Sequence, residues 1–246
     1  PLLSWSGTQG IQRGFDLRTL SLGTSGLVTR DGNFRVSAGA QTILNTMLAS
    51  ETFTDLLMQE DVDAHARSVD ATATIQAAIA ATSDPTAIPN TDVLGQRMRT
   101  LIRLANSQST MGHRRSVFFL THGGYDDHAT LLGGLAARYD VLDDVLAGAY
   151  NATVTLGIQN NVTFLVFGEF GRSLSQNGTG TDHGWGGNAF VFGGAVNGGW
   201  YGDSYTLDTA GPNIVDVRGH LVPTTPVETL IASVAKWMGV PDALSN

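Results

Sequence analysis

Ser116-Val117-Phe118-Phe119-Leu120-Thr121 and Val162-Thr163-Phe164-Leu165-Val166-Phe167 are short, continuous apolar runs, the pattern expected of strands buried on both faces. The first run delivers His122-Gly123-Gly124-Tyr125-Asp126-Asp127-His128, and the second ends in Gly168-Glu169-Phe170-Gly171-Arg172. Between them Leu131, Leu135, Leu142 and Leu146 recur at helical intervals while Asp140, Asp143 and Asp144 stay polar. Strand, helix, strand in this order implies a right-handed crossover and a parallel pair. Both strands then end at one edge of the sheet, where the functional loops of open parallel sheets gather. Two acidic loops far apart in the chain are thereby expected to meet.

Downstream, Asn177-Gly178-Thr179-Gly180-Thr181-Asp182-His183-Gly184-Trp185-Gly186-Gly187 opens a glycine-rich segment over residues 177 to 202, read as a loop, with a further strand at Ala189 to Phe192. It contains no P-loop and no dinucleotide fingerprint. Near the end of the chain Thr225 and Glu228 flank Pro226 in the pattern of a capping box. Val227, Leu230, Ile231, Val234, Trp237 and Met238 then form one apolar face, and Gly239 offers a left-handed stop. Upstream, the segment from about 38 to 108 reads as helical, interrupted by a connector with Pro85 and Pro89. Its last helix starts near Thr91 and carries the stripe Leu94, Met98, Leu101, Ile102 and Ala105, expected to pack on a sheet. Residues 1 to 40 read as loops with a few edge strands. With no repeat and no linker, residues 1–246 are taken as a single α/β domain, its core sheet, glycine-rich loop and C-terminal helix lying at about 116 to 240.

Composition removes several functional classes. The 246 residues are 42% hydrophobic and 15% charged with a formal net charge of -8, which describes a folded chain whose field repels a phosphate backbone. The only compact basic run is His113-Arg114-Arg115, and no nucleic-acid partner is expected. No apolar run is long enough to span a bilayer. The absence of cysteine excludes disulfides, thiolate metal sites and cysteine nucleophiles, so a metal must be held by oxygen and imidazole donors.

Asp126-Asp127-His128 stands where a strand gives way to a helix, a rigid platform from which a carboxylate and an imidazole reach a cation at about 2 Å. The plainer alternative is that Asp126 or Asp127 caps the helix and His128 lies exposed in its first turn. Glu169 and Arg172 pair a ligand with an oxyanion-binding guanidinium, or form an ordinary turn salt bridge. Asp182-His183 sits in a segment with no core to serve, so it either seeks a partner or belongs to a mobile surface loop. Together these groups suit one or two divalent cations, whether Zn, Mn, Mg or Ca. His65, His122 and His220 read as ordinary. Trp185, Trp200 and Tyr201 either line a sugar or aromatic pocket or pin the loop to the core.

In order and spacing, the three motifs at 123–128, 168–172 and 177–187 resemble domain-of-unknown-function family 1501. Similarity continues through Gly193-Gly194-Ala195-Val196-Asn197-Gly198-Gly199 and from Pro223-Thr224-Thr225 to Lys236-Trp237-Met238-Gly239-Val240. It is strong over about residues 116 to 246 and faint before them. That family looks like a branch of the alkaline phosphatase and sulfatase superfamily. The resemblance implies an alkaline-phosphatase-like α/β fold, a mostly parallel sheet flanked by helices, with metal at its carboxyl edge. It further implies Asp126, His128, Glu169, Asp182 and His183 as metal-facing positions, Arg172 near the substrate oxyanion, and a periplasmic or extracellular location. Asp127 departs from the family's usual Thr, and Gly168 from its usual Ser or Thr. Such proteins carry a further strand, an acidic ligand and, in active relatives, a nucleophile ahead of these motifs, so the chain is expected to be the C-terminal portion of a longer one.

The expected function is metal-dependent hydrolysis of phosphate or sulfate esters, on a small-molecule or glycan ester. The alternatives are an inactive structural or binding protein of an extracellular or periplasmic assembly, and a glycan-binding module built on Trp185, Trp200 and Tyr201.

Overall fold

Strands come from the apolar runs, but with partners other than those their order suggests. The computed structural model describes residues 54–241 continuously and, ahead of them, residues 2–4, 19–23, 26–27, 39, 42–43, 45–47 and 52. The chain divides into two compact units: Pro1–His122 with Asp144–Ala152, and Gly123–Asp143 with Thr153–Asn246.

In the first unit β1 (Leu2–Ser4), β2 (Thr19–Gly23), β3 (Gly26–Leu27) and β4 (Phe118–Phe119) form one sheet in the order β3-β2-β1-β4. β1 runs parallel to β2 and to β4, with Leu3 opposite Leu20 and Phe118, and only β2–β3 is antiparallel. The N-terminal segment, read as loops and edge strands, thus supplies an inner strand. Its signal is weak because Leu2-Leu3-Ser4 is too short to show any periodicity.

Helices α1 (Leu56–Ala80) and α2 (Val93–Asn106) each start on an aspartate: Asp55 accepts from the amides of Leu57 and Met58, and Asp92 from that of Leu94 at 2.6 Å. Of the α2 stripe, Leu94, Met98, Leu101 and Ile102 are buried as their spacing predicts, joined by Leu104, while Ala105 is half-buried. Of the apolar residues at near-helical spacing ahead of the connector, Val62 is buried, Ile43, Met47, Leu56 and Leu57 are exposed, and Leu48 and Phe53 lie outside the described residues. α2 packs against α1, and its arginines bind the connector between them. Arg99 donates to the carbonyl of Ile88 at 2.7 Å and to Asp84 at 2.6 Å, and Arg103 to the carbonyls of Thr82 and Ile79 at 3.0 and 2.5 Å. The guanidinium groups thus give donors to carbonyls at the end of α1 and in the connector that follows it. A short α3 (Gln108–Met111) ends on Gly112, whose φ of 66° is left-handed.

The second unit contains α4 (Leu131–Thr155), which also contributes residues to the first, followed by β5 (Phe164–Val166), β6 (Gly171–Asn177), β7 (Gly180–Gly184), β8 (Phe190–Phe192) and α5 (Val227–Trp237). β5 pairs antiparallel with β8, and the rings of Phe164 and Phe192 stack across the pair at 4.6 Å. Parallel pairs occur at β1–β2 and β1–β4, whereas the ladder inferred between the 116–121 and 162–167 runs is not among those of the described residues, where β5 takes its neighbour from the glycine-rich segment. Order along the chain limits handedness, but hydrogen-bond partners are chosen by which strand is nearest in space.

α5 differs from its expected start by one residue. Pro226 has extended backbone and is itself the N-cap, with no side-chain cap bond, so Thr225 and Glu228 do not close a capping box. The other end is as expected: Gly239 has φ 85°, and the amide of Val240 reaches the carbonyl of Ala235 at 3.0 Å.

Candidate metal centre

The segment Gly123–Thr130 carries Asp126 and His128 in irregular backbone ahead of α4, and three anchors hold it there. Asp127 forms an ion pair with Arg138, two turns into α4. Tyr125 packs on Tyr139 with ring centroids 5.7 Å apart. The third anchor comes from the hairpin, where Thr179 accepts from the amide of Thr130 at 3.0 Å through its hydroxyl and from that of Leu131 at 3.1 Å through its carbonyl. Neither Asp126 nor Asp127 caps the helix, and His128 precedes its first turn, because Thr179 supplies those amides with acceptors instead.

The stretch read as a glycine-rich loop is a β-hairpin over most of its motif. β6 and β7 pair antiparallel with Asn177 opposite Gly180, leaving Gly178 and Thr179 as the turn; Gly178 has φ 71°. A two-residue loop with glycine at its first position is a hairpin signal, and here Gly178-Thr179 outweighs the high glycine content. The register sets Arg172 directly opposite His183, with a bulge between Arg172 and Gln176. Both side chains turn to the same acceptor.

That acceptor is Asp126. Its Oδ1 lies 2.7 Å from Nε2 of His183, 3.0 Å from Nε2 of His128 and 3.1 Å from Nη2 of Arg172. Asp126, His128 and His183 each offer one ligand atom, and all three atoms fall within 4.8 Å of one another. The imidazole of His183 stacks with two rings, Phe170 at 4.0 Å and 5° and His128 at 5.2 Å and 26°. Hydrogen bonding to His183, and then the charges of His183, His128 and Arg172, hold the Asp126 carboxyl below its ordinary range.

Arg172 is half-buried and fully engaged. It donates to the carbonyl of Thr181 at 2.8 Å, to that of Tyr125 at 2.6 Å and to Asp126, and its Cζ lies 5.0 Å over the ring of Phe170. It ties the Asp126 loop to both hairpin strands. Asp182 sits one shell out, with Oδ1 3.5 Å from Nδ1 of His128. Glu169 is exposed and stands outside the three-residue group.

Sequence reasoning missed the residues around Asp182. Asn177 donates to its Oδ1 at 2.8 Å and Arg218 to its Oδ2 at 3.1 Å, and the Asn177 bond leads the causes that lower the Asp182 carboxyl. It also passed over His220, whose Nδ1 lies 2.5 Å from Asp216 Oδ2, a bond that depresses the Asp216 carboxyl. An aspartate four residues before a histidine was a legible signal there. Trp185, Trp200 and Tyr201 are 72%, 71% and 73% exposed, so they do not pin the segment to a core.

Three depressed carboxyls fix the sign of an acid response. Asp126, Asp182 and Asp216 lose protons more readily folded than unfolded. Their stabilisation is thus complete above the ordinary carboxylate value of about 3.9 and is lost as pH falls through the lowered folded values. Asp216→Asn is expected to flatten the fall of Tm as pH drops below about 4 in calorimetric scans; a slope there identical to the wild type would contradict this.

One carboxylate and two imidazoles, converging from a loop and a hairpin of a mixed helix-and-strand protein, define a donor group able to hold a metal ion. Over residues 18–242 the chain matches the family model described as "Protein of unknown function (DUF1501)", and the protein belongs to that family. No curated protein and no solved structure matches it.

Proposed function

We propose that the protein is a metal-dependent hydrolase of phosphate or sulfate esters, with Asp126, His128 and His183 as the protein ligands of a divalent cation. The observation that carries this reading is the convergence of two imidazole nitrogens on one carboxylate oxygen, at 2.7 and 3.0 Å. Tetrahedral bonds of about 2.0–2.1 Å separate ligand atoms by about 3.3 Å, so a cation needs each imidazole nitrogen to part from the Asp126 oxygen by about 0.3–0.6 Å. Two imidazoles with one carboxylate favour Zn over the all-oxygen preference of Mg and Ca. Three protein ligands leave a coordination position for substrate, as catalytic sites require.

When bound, the cation supplies Lewis acidity to an ester oxygen. The chain's own residues supply geometry. Arg172 holds Asp126 in place and keeps positive charge beside it; Phe170 and His128 fix the plane of His183 by stacking. The motif order, by its likeness to the alkaline phosphatase and sulfatase superfamily, supports an alkaline-phosphatase-like parallel arrangement in the whole protein and a periplasmic or extracellular location.

Elemental analysis of the purified chain, followed by chelation, tests the metal. Stoichiometric Zn or Mn is expected, and stripping it should lower Tm, since free metal at a hundred times its Kd stabilises by about 2.7 kcal/mol. Absence of bound metal with Tm indifferent to chelator and to added Zn would overturn the reading. Metal without turnover of aryl phosphate or aryl sulfate leaves a binding protein. The exposed Trp185, Trp200 and Tyr201 favour glycan binding as its form, and that binding would survive chelation.

A further inference from the structure

His128 faces a carboxylate with each of its ring nitrogens: Nε2 lies 3.0 Å from Asp126 Oδ1, and Nδ1 lies 3.5 Å from Asp182 Oδ1. An imidazole that binds a cation through one nitrogen carries its proton on the other, and a carboxylate or carbonyl there fixes the tautomer and the ring. Asp182 occupies that outer position, on the side of the ring away from Asp126.

Its oxygens are already committed. Oδ1 accepts from Asn177 at 2.8 Å and Oδ2 from Arg218 at 3.1 Å, while the backbone amide of Asp182 donates to the hydroxyl of Ser173 at 3.1 Å. A carboxylate oxygen can accept twice, so Oδ1 keeps one site for the Nδ1 proton. At 3.5 Å the contact is an ion-pair approach, longer than a hydrogen bond.

Arg218 is presented by a turn built for rigidity. Ile214 bridges Leu221, and the amide of Val215 reaches the carbonyl of His220 at 3.1 Å. The amide of Gly219, with φ 75°, closes the turn on the carbonyl of Asp216 at 3.1 Å. The Asp216 carboxylate accepts from the amides of Arg218 and His220 at 3.0 and 3.3 Å and from the His220 ring. The turn is sewn to β6, where the amides of Leu174 and Ser175 donate to the carbonyls of Gly219 and Arg218 at 3.1 and 3.0 Å. The backbone of Arg218 is therefore fixed to the same strand that carries Arg172, and its exposed side chain turns to Asp182.

We infer that Asp182 is the positioning carboxylate of His128 rather than a fourth metal ligand, and that Arg218 acts on the metal centre solely through Asp182. The inference rests on the metal-centre reading given above. Asp182→Asn and Arg218→Ala should each weaken Zn binding about 10–100-fold, the range for losing an outer-shell partner of a metal-bound histidine. The double variant should be no weaker than Asp182→Asn alone, because both changes break one chain of contacts. His183→Ala, in contrast, should lose Zn altogether.

The test is Zn titration of the full chain, calorimetrically or by competition with a chromogenic chelator, for wild type, the two single variants, their double and His183→Ala. Loss of Zn in Asp182→Asn equal to that in His183→Ala makes Asp182 a ligand and overturns the inference. So does an Arg218→Ala effect that is absent, or that persists undiminished in the Asp182→Asn background. A wild type that binds no Zn defeats the metal reading instead. The positioning role is then read from the ring nitrogens of His128 by long-range nitrogen–proton correlation in the metal-free protein. An Nδ1 proton protected in wild type and lost from protection in Asp182→Ala sustains it, and identical spectra reject it.

Discussion

Asp126→Ala is expected to abolish both Zn binding and ester turnover while leaving the hairpin folded. Asp126 Oδ1 is the point on which His183, His128 and Arg172 converge, so one substitution removes the hard donor and the acceptor that gathers the other two. Loss of an outer-shell partner already costs about 10–100-fold in affinity, and loss of this directly coordinating group is expected to exceed that, at least about 100-fold. Folding should survive because Arg172 keeps its bonds to the carbonyls of Thr181 and Tyr125, and Asp127 keeps Arg138. Asp126→Asn separates charge from shape: it retains an acceptor oxygen for His183 but lacks the negative charge that balances the cation. It should fold like the wild type and bind Zn weakly. The measurements are Zn titration, turnover of aryl phosphate and aryl sulfate, and Tm in chelator. Turnover that persists in Asp126→Ala would place the chemistry elsewhere in the chain.

How much of this was legible beforehand differs from one residue to the next. The helix stripe Leu94, Met98, Leu101, Ile102 was readable because helical periodicity is local, and the structure buries those side chains. Asp126, His128 and His183 were readable as chemistry, because polar groups with ligand character followed apolar strands and stood among glycines. Their meeting was inferred from a parallel β4–β5 pair, whereas the contacts arise within one unit, from a hairpin that brings Arg172 and His183 to Asp126. The hairpin itself was missed because glycine content was given more weight than the two-residue turn signal of Gly178-Thr179. Arg218 and Asn177 left no trace in the sequence: single polar residues have no period, and their partner lies 36 and 5 positions away. Glu169, expected as a ligand from its position after a strand, is exposed like Asp126, His128 and His183 but stands outside their group.

Gly180→Ala should cripple the metal centre without touching any donor. A Cβ at Gly180 would stand 2.3 Å from the carbonyl carbon of His128, 2.5 Å from its oxygen and 2.7 Å from the amide nitrogen of Ala129. These are backbone atoms, and a flexible side chain cannot step aside for the methyl group. Either the hairpin withdraws, carrying His183 with it, or the His128 segment is pushed away from Asp126; both separate the three ligand atoms. Overpacking of this kind costs about 1–3 kcal/mol, and more where backbone must move, so a lower Tm is expected together with loss of Zn binding. Gly178→Ala provides the comparison. Gly178 has φ 71° with nothing within 4 Å of its Cβ position, so its cost is conformational strain alone, about 1–2 kcal/mol for a left-handed residue. That variant should lower Tm and keep Zn affinity. If the two variants lost stability alike and both held Zn as the wild type does, the contact between the hairpin and the His128 segment would have no part in assembling the site.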